Sequence, residues 1–350
     1  MSTKHSPRHV LLSNDDGPPS HESPYVYGLY MEMTRKLGWD VKVVIPSSQK
    51  SWIGKAYQIK DTIKGTYYYP KGPDGQGSTS EVSRPLEEGE VGEWILLDGT
   101  PATCVNIAIH NIYPGEIDLV ISGPNFGRNT SSAFSLSSGT IGAALSGCLS
   151  ETKAIALSYG TLKGFNPNDF KDEANSLSCK IIQCLWEDWG KDDEGLRSGE
   201  VDLYNVNLPM IPELRQPNGV EVVWTTIWRN AYGMLFKRKE DDQTSIRMRE
   251  AGPDAPDKTS SKPSTPIQSD GQAATSKRLT FHFAPANMAG LVNPPLDTLP
   301  YGSDTWAILN AKASITPLRA AFMECSLESF CLGNELAEKG SLVPGRPFKL

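Results

Sequence analysis

Of the 350 residues, 38% are hydrophobic, which is enough for a large buried core in one domain and excludes a chain that is disordered throughout. The chain has 34 Lys and Arg and 41 Asp and Glu, which gives a net charge of -7. It is therefore poorly suited to holding duplex nucleic acid by counterion release. Because it has no run of about 20 apolar residues and no apolar stretch behind the polar residues 1–9, we expect a cytoplasmic protein without membrane association.

Short aliphatic runs recur through the first 210 residues and predict strands that are covered on both faces, as in a parallel sheet. The runs lie at residues 9–13, 41–45, 94–98, 118–122, 154–158 and 202–207. Helical patterns separate several of them, at residues 26–37, 101–110 and 140–149. This alternation predicts an α/β fold with a doubly wound, mostly parallel sheet, in which functional groups lie on loops at the carboxyl ends of the strands.

The second half of the chain is less regular. Between residues 251 and 278 the only large aliphatic side chain is Ile267, amid prolines and polar residues, which predicts a disordered loop. Its flanks, at 227–249 and 279–284, are rich in residues typical of strands and predict an extended arm. We therefore expect one domain over 1–350, with a core at about 9–210, an arm and loop at 220–285, a return to the core at 286–320, and a tail or linker at 321–350.

The predicted arm also bears on the oligomeric state. An isolated two-stranded arm is marginally stable in water, and its aromatic side chains would be costly to expose. We therefore predict that the arm packs against a second subunit and forms a homodimer. The alternative is that the arm folds back onto its own domain. The aromatic residues concerned are Trp228, Tyr232, Phe236, Phe281 and Phe283.

Two adjacent carboxylates, Asp15 and Asp16, follow the first predicted strand. Neighbouring carboxylates repel each other unless a cation lies beside them, so the pair indicates a site for a hard metal ion. Because Asn, Asp and Gly are also typical turn residues, a plain turn over 14–17 is the alternative.

Two later loops favour the metal site. Asn125 and Asn129, among glycines, follow another predicted strand, and Ser138, Gly139 and Thr140 begin a helix of small residues. Backbone N–H groups at a helix start bind phosphate, although Ser138 could be an ordinary N-cap and the small residues could serve tight packing. Together the three loops predict metal-assisted phosphoryl chemistry, while the common nucleotide-binding glycine motifs, zinc spacings and G-x-S-x-G are absent from the sequence.

Five blocks of sequence, in order along the chain, resemble the SurE family of metal-dependent phosphatases and nucleotidases. They read VLLSNDDG at 10–17, PSSQKSWIG at 46–54, DGTPA at 98–102, SGPNFGRN at 122–129 and SGTIGAA at 138–144, with weaker similarity in YNVNLP at 204–209 and ASITPL at 313–318. The resemblance implies a Rossmann-like core and a C-terminal arm exchanged between subunits.

Matching the family motif by motif implies a site for one divalent ion, Mg²⁺ or Mn²⁺. The implied metal ligands are Asp15, Asp16, Ser51 and Asn125, of which Asp15 and Asp16 are also the implied catalytic residues. The implied phosphate-binding positions are Asn14, Asn129, Ser138, Gly139 and Thr140.

The resemblance implies a hydrolase of phosphomonoesters, with nucleoside monophosphates as the expected substrates. Parts of the wording are similar to a fungal branch, in which a SurE-like domain precedes a tubulin-tyrosine-ligase-like domain in a protein associated with processing bodies. A binding or scaffold module with weak or no activity, serving messenger-RNA-decay partners in processing bodies, is therefore the alternative function.

Overall fold

The computed structural model describes residues 9–197, 199–238, 279–284 and 288–323. Its strands are β1 (His9–Ser13), β2 (Asp40–Pro46), β3 (Gly65–Pro70), β4 (Gly77–Ser80), β5 (Trp94–Leu97), β6 (Leu119–Phe126), β7 (Lys153–Thr161), β8 (Leu203–Met210), β9 (Val222–Trp224), β10 (Phe236–Arg238), β11 (Phe281–Phe283) and β12 (Ala313–Leu318). Its α-helices are α1 (Val26–Met31), α2 (Pro101–Ile107), α3 (Ser131–Ser137), α4 (Gly139–Leu149), α5 (Lys171–Glu187), α6 (Ala289–Val292) and α7 (Asp304–Leu309).

Ten of these strands form one sheet in the order β4-β3-β5-β2-β1-β6-β7-β8-β12-β9. The six strands from β5 to β8 in that order run parallel, whereas β3, β4 and β12 pair antiparallel with a neighbour. All six predicted strands and all three predicted helices are present, and the predicted fold class is confirmed. Because β1 lies between β2 and β6, the loops that leave these three strands meet at one edge of the sheet.

Two hydrophobic cores, one on each face of the sheet, explain why the predicted strands are almost continuously apolar. Val10 and Leu12 of β1 face a core that includes α1 and α5, whereas Leu11 faces a core that includes α2 and α4. All three side chains are fully buried. Because both faces of such a strand are buried, its sequence does not alternate between apolar and polar residues.

The longest helix, α5, was not predicted, because its buried face is partly polar. Asn175 and Ser178 lie on that face, and both are buried. The hydroxyl of Tyr159 lies 2.9 Å from Asn175 Oδ1, to which it donates a hydrogen bond, and 2.9 Å from Ser178 Oγ. These bonds satisfy polar groups that would otherwise be costly to bury, and they hide the helix from a search for apolar periodicity.

Part of the arm is described and part is not. β10 and β11 pair antiparallel, with Phe236 opposite Phe283, and form a two-stranded ribbon. The predicted loop at 251–278 lies outside the described residues, as do residues 324–350, so the predicted division of the chain remains a prediction. In the described ranges, no helix combines the length and hydropathy needed to cross a membrane.

Candidate active site

The loop after β1 is both a turn and the support of a carboxylate pair. Asn14 Oδ1 accepts a hydrogen bond from the Gly17 N–H at 3.0 Å, and its amide donates to the Gly17 carbonyl at 2.8 Å. Asp15 Oδ1 accepts from the Thr140 hydroxyl at 2.7 Å, and Asp16 Oδ2 accepts from the Phe126 N–H at 2.8 Å. The turn, which Asn14 stabilises, therefore orients the two carboxylates toward β6 and α4.

Burial makes this pair electrostatically unusual. It raises the pKa of Asp15 to about 6, although hydrogen bonds from Thr140 and from the backbone at Gly139 act in the opposite direction. Burial and the neighbouring charge of Asp15 raise the pKa of Asp16 well above its ordinary value. In the part of the chain that is described, neither carboxylate takes part in a salt bridge. A bound cation would offset both the repulsion and the cost of burial.

Asp15 lines a cavity of about 30 Å³, and four other predicted site residues line it too. They are Ser51, Asn125, Asn129 and Ser138. The volume is of the order of one water molecule, so the cavity suits an ion or one small group. Asn14, Asp16, Gly139 and Thr140 do not line it.

Ser51 reaches the cavity from the loop after β2. The Lys50 N–H donates to the Asp15 carbonyl at 2.7 Å, and the Gly54 N–H donates to the Ser137 carbonyl at 2.9 Å. These backbone bonds join the loop to the β1 loop on one side and to the end of α3 on the other. A hydroxyl is thereby placed near the carboxylates although Ser51 is far from them in sequence.

Asn125 and Asn129 are held by bonds of their own. The Asn125 amide donates to the Gly127 carbonyl at 2.7 Å, and the Asn129 amide donates to Ser158 Oγ at 2.9 Å. The backbone of Asn129 is bound on both sides by β8: its N–H donates to Asn207 Oδ1 at 2.7 Å and its carbonyl accepts from the Asn205 amide at 2.8 Å.

These two β8 asparagines were not predicted as part of the site. Asn205 and Asn207 are fully buried and, two residues apart in a strand, lie on the same face. The sequence signal that could have identified them is a pair of asparagines, two positions apart, within an otherwise apolar predicted strand.

At the start of α4, the structure supports two structural roles that the sequence left open: Ser138 as an N-cap, and the small residues as a means of tight packing. Ser138 Oγ accepts from the Ile141 N–H at 3.1 Å, as an N-cap does. A Cβ on Gly139 would lie 2.8 Å from Asp15 Cβ, and one on Gly142 would lie 2.4 Å from the Gly54 carbonyl oxygen. Gly139 and Thr140 thus contact Asp15 directly, and the phosphate-binding role of the helix start remains a prediction.

An aromatic cluster, formed by Trp52, Phe134, Tyr232 and Phe283, adjoins the cavity. The ring of Trp52 lies 5.7 Å from that of Phe134, 5.9 Å from that of Tyr232 and 5.4 Å from that of Phe283. Trp52 and Phe134 also line the cavity. Tyr232 and Phe283 therefore fold back onto their own chain, so the arm contacts the candidate site.

Comparisons with known proteins agree with this arrangement. The family model described as "Survival protein SurE" matches residues 10–234. The chain is 31% identical over 232 residues to a 5'-nucleotidase SurE of Desulfitobacterium hafniense, which covers 66% of this chain and 75% of that protein. It is also 34% identical over 249 residues to the "Probable tubulin--tyrosine ligase PBY1" of Saccharomyces cerevisiae, covering 65% of this chain but only 32% of the yeast protein.

The fold has a solved counterpart. The crystal structure of the SurE protein from Aquifex aeolicus superposes with a TM-score of 0.53 at 20% identity, covering 90% of this chain and 94% of that one. The matched region of the family model contains the carboxylate pair, Ser51, both asparagine positions and the start of α4. The chain therefore belongs to the SurE family.

Proposed function

We propose that this protein is a divalent-metal-dependent hydrolase of phosphomonoesters, with nucleoside monophosphates as its substrates. The observation that carries the proposal is the buried carboxylate pair beside a cavity lined by Ser51 and Asn125. The name 5'-nucleotidase of several bacterial relatives supports the same substrate class.

The donor set fits a divalent ion. Asp15, Asp16, Ser51 and Asn125 offer carboxylate, hydroxyl and amide oxygens, the hard ligands that Mg²⁺ and Mn²⁺ prefer. Burial raises the pKa of both carboxylates, and the charge of Asp15 raises that of Asp16 further, so a bound cation would stabilise their ionised forms. When bound, such an ion supplies Lewis-acid polarisation of a phosphoryl oxygen and a lower pKa for the attacking water.

The chain's own residues supply the proton transfer and the orientation. Asp15 is the proposed proton acceptor for the attacking water, because it is the carboxylate of the pair that lines the cavity. The Thr140 hydroxyl, 2.7 Å from Asp15 Oδ1, holds that carboxylate in place. Asp16, held by the Phe126 N–H, keeps its oxygen toward the end of β6, where Asn125 lies.

The test is an assay of a panel of phosphomonoesters with Mg²⁺ and Mn²⁺, on the wild type and on Asp15→Asn, Asp16→Asn and Asp40→Asn. Asp40 is a partly exposed aspartate paired with His9, so its variant controls for the loss of one negative charge. We expect metal-dependent turnover in the wild type and in Asp40→Asn, and a loss of about a thousandfold or more in the other two. Absence of metal-dependent turnover, or turnover that survives Asp15→Asn, would overturn the proposal.

Calorimetry with Mn²⁺ alone separates this proposal from a non-catalytic module. Binding that disappears in Asp16→Asn, without any turnover in the wild type, would favour the scaffold function, for which we propose messenger-RNA-processing partners in the cytoplasm.

We also propose a homodimer formed through the ribbon, because Phe236 and Phe281 are each 57% exposed on it. Light scattering over a concentration series should then show twice the mass of one chain. A monomer at every concentration would contradict the dimer.

A further inference from the structure

The aromatic cluster beside the cavity is partly open to solvent, unlike the hydrophobic cores of the sheet. Phe134 is buried, but Trp52 and Phe283 are only half-buried and Tyr232 is 44% exposed. Trp52 and Phe134 belong to the lining of the cavity, whereas Tyr232 and Phe283 contact Trp52 without lining it. The cluster therefore forms an aromatic surface that begins at the cavity and continues onto the arm.

Trp52 occupies its place in this cluster with a strained backbone. Its φ of 62° lies in the left-handed region, which a bulky residue rarely adopts and which glycine adopts without strain. Strained conformations of this kind persist where the surrounding structure holds them, and they are concentrated at functional sites and ligand clamps. The strain at Trp52 therefore calls for a role of its side chain.

The part of the arm that carries Tyr232 is fixed to the start of α3. The Ser132 N–H donates to the Trp228 carbonyl at 2.8 Å, and the Ala133 N–H donates to Asn230 Oδ1 at 2.9 Å. The Tyr232 hydroxyl in turn donates to the Ala133 carbonyl. These bonds hold the ring of Tyr232 beside Trp52 in the absence of a ligand.

The size of the cavity shows which part of a substrate would meet these rings. At about 30 Å³ the cavity is far too small for a nucleoside, so the sugar and base of a nucleoside monophosphate would lie outside it. Asp15 and Asn125 give the lining polar groups, whereas Trp52 leads from the lining to the exposed ring of Tyr232. Aromatic side chains bind nucleobases by stacking, because every base offers a planar aromatic face.

We propose that the exposed parts of Trp52 and Tyr232 form a subsite for the nucleobase of the substrate, and so select nucleoside monophosphates over phosphomonoesters that lack a base. This inference rests on the proposed function, because the subsite adjoins the same cavity. The alternative is that Trp52 only anchors the arm to the loop after β2, in which case its loss would affect every substrate equally.

The test compares adenosine 5'-monophosphate with ribose 5-phosphate, which carries the same ribosyl phosphate without a base. The values of kcat/KM are measured for the wild type, Trp52→Leu, Trp52→Phe and the control Trp224→Leu. Trp224 is 64% exposed on β9 and does not line the cavity, so its variant controls for the loss of an exposed indole.

We expect the wild type to prefer the nucleotide. In Trp52→Leu, kcat/KM for adenosine 5'-monophosphate should fall about 10- to 100-fold, as expected for the loss of a base–aromatic stack, while the value for ribose 5-phosphate should hardly change. Trp52→Phe keeps an aromatic ring and should retain most of the selectivity. Trp224→Leu should match the wild type.

An equal loss for both substrates in Trp52→Leu, or a wild type without preference for the nucleotide, would overturn the subsite and leave the hydrolase proposal intact. If Trp52→Leu does not fold, Tyr232→Leu tests the same ratio from the other ring. If neither compound is hydrolysed, calorimetry of both with the Mn²⁺-loaded protein decides. Weaker binding of the nucleotide alone in Trp52→Leu would support the subsite, whereas unchanged or equally weakened binding would overturn it.

Discussion

Replacing Gly139 by alanine should disturb Asp15 more than it disturbs the fold. The new Cβ would lie 2.8 Å from Asp15 Cβ, 2.9 Å from Asp15 Oδ2 and 3.0 Å from Ile53 Cγ2, whereas ordinary contacts lie at 3.4–4 Å. Asp15 must therefore retreat by roughly half an ångström. Because a misplacement of about 1 Å can cost about a hundredfold in rate, we expect kcat to fall about tenfold, equivalent to about 1.4 kcal/mol.

The effect on stability should be small, because two changes oppose each other. Alanine in a helix gains up to about 1 kcal/mol over glycine, while overpacking costs about 1–3 kcal/mol. Kinetic assays of phosphomonoester hydrolysis and thermal unfolding measure the two effects separately.

Gly147→Ala is the matched control on the same helix. Its Cβ would lie 2.9 Å from Val120 Cγ2 in the apolar core, so the same two opposing effects on stability apply, but no site residue is displaced and kcat should stay at the wild-type value. Wild-type kcat in Gly139→Ala, or an equal loss of kcat in Gly147→Ala, would refute the reasoning.

Three further predictions concern the helix cap, a buried acid and the thiols. Ser138→Gly should change the free energy of unfolding by only a few tenths of a kcal/mol, because glycine is a tolerated N-cap. If the Ser138 hydroxyl binds phosphate, the same variant should raise Ki for phosphate. An unchanged Ki would show that Ser138 is a helix cap only. Asp304→Asn should lower the free energy of unfolding by about 1–3 kcal/mol, because its carboxylate accepts from the Ser131 and Trp228 N–H groups. Burial raises the pKa of Asp304. Protonation of Asp304 therefore stabilises the folded state fully below the pKa of the unfolded state, and this contribution is lost as the pH rises through the folded pKa. Denaturation at several pH values should show that the difference in free energy of unfolding between the wild type and Asp304→Asn becomes smaller as the pH rises. Cys184 is exposed and should react quickly with a thiol reagent, so Cys184→Ser should lower the amplitude of the fast phase by one thiol, whereas burial raises the pKa of Cys148 and of Cys179 to about 12 and both should react only after unfolding.

The sequence predicted the centre of the sheet because that part follows simple rules. β1, β2, β5, β6 and β7 are apolar on both faces, β8 is apolar on one face, and the predicted helices between them bury regular apolar stripes. The helix α5, whose buried face is partly polar, was not predicted. The antiparallel insertion of β12 beside β8 could not be inferred either, because strand order at a sheet edge depends on contacts between residues more than 100 positions apart.

The residues of the candidate site also divide into those whose placement could be predicted from the sequence and those whose placement could not. Asp15 and Asn125 could be expected to lie close together, because each follows a parallel strand and such strand ends meet at one edge. The contact of Trp52 with Tyr232 and Phe283 could not be expected, since no periodicity links a loop after β2 to an arm about 200 residues later. Arg128 was visible within its block of sequence, but its burial is a tertiary property.

The position of β9 has a consequence for how the protein is made. In the described sheet, β9 pairs with β12 and with no other strand, yet β12 is synthesised about 90 residues later, which takes about 5–20 s at ordinary translation rates. Until then the emerging chain presents Val222 and Trp224 without a neighbouring strand. Trp224 remains 64% exposed even in the finished sheet. What the delay leaves open is therefore the backbone of β9, whose N–H and C=O groups form an unpaired strand edge, the kind of edge that favours aggregation, until β12 is made.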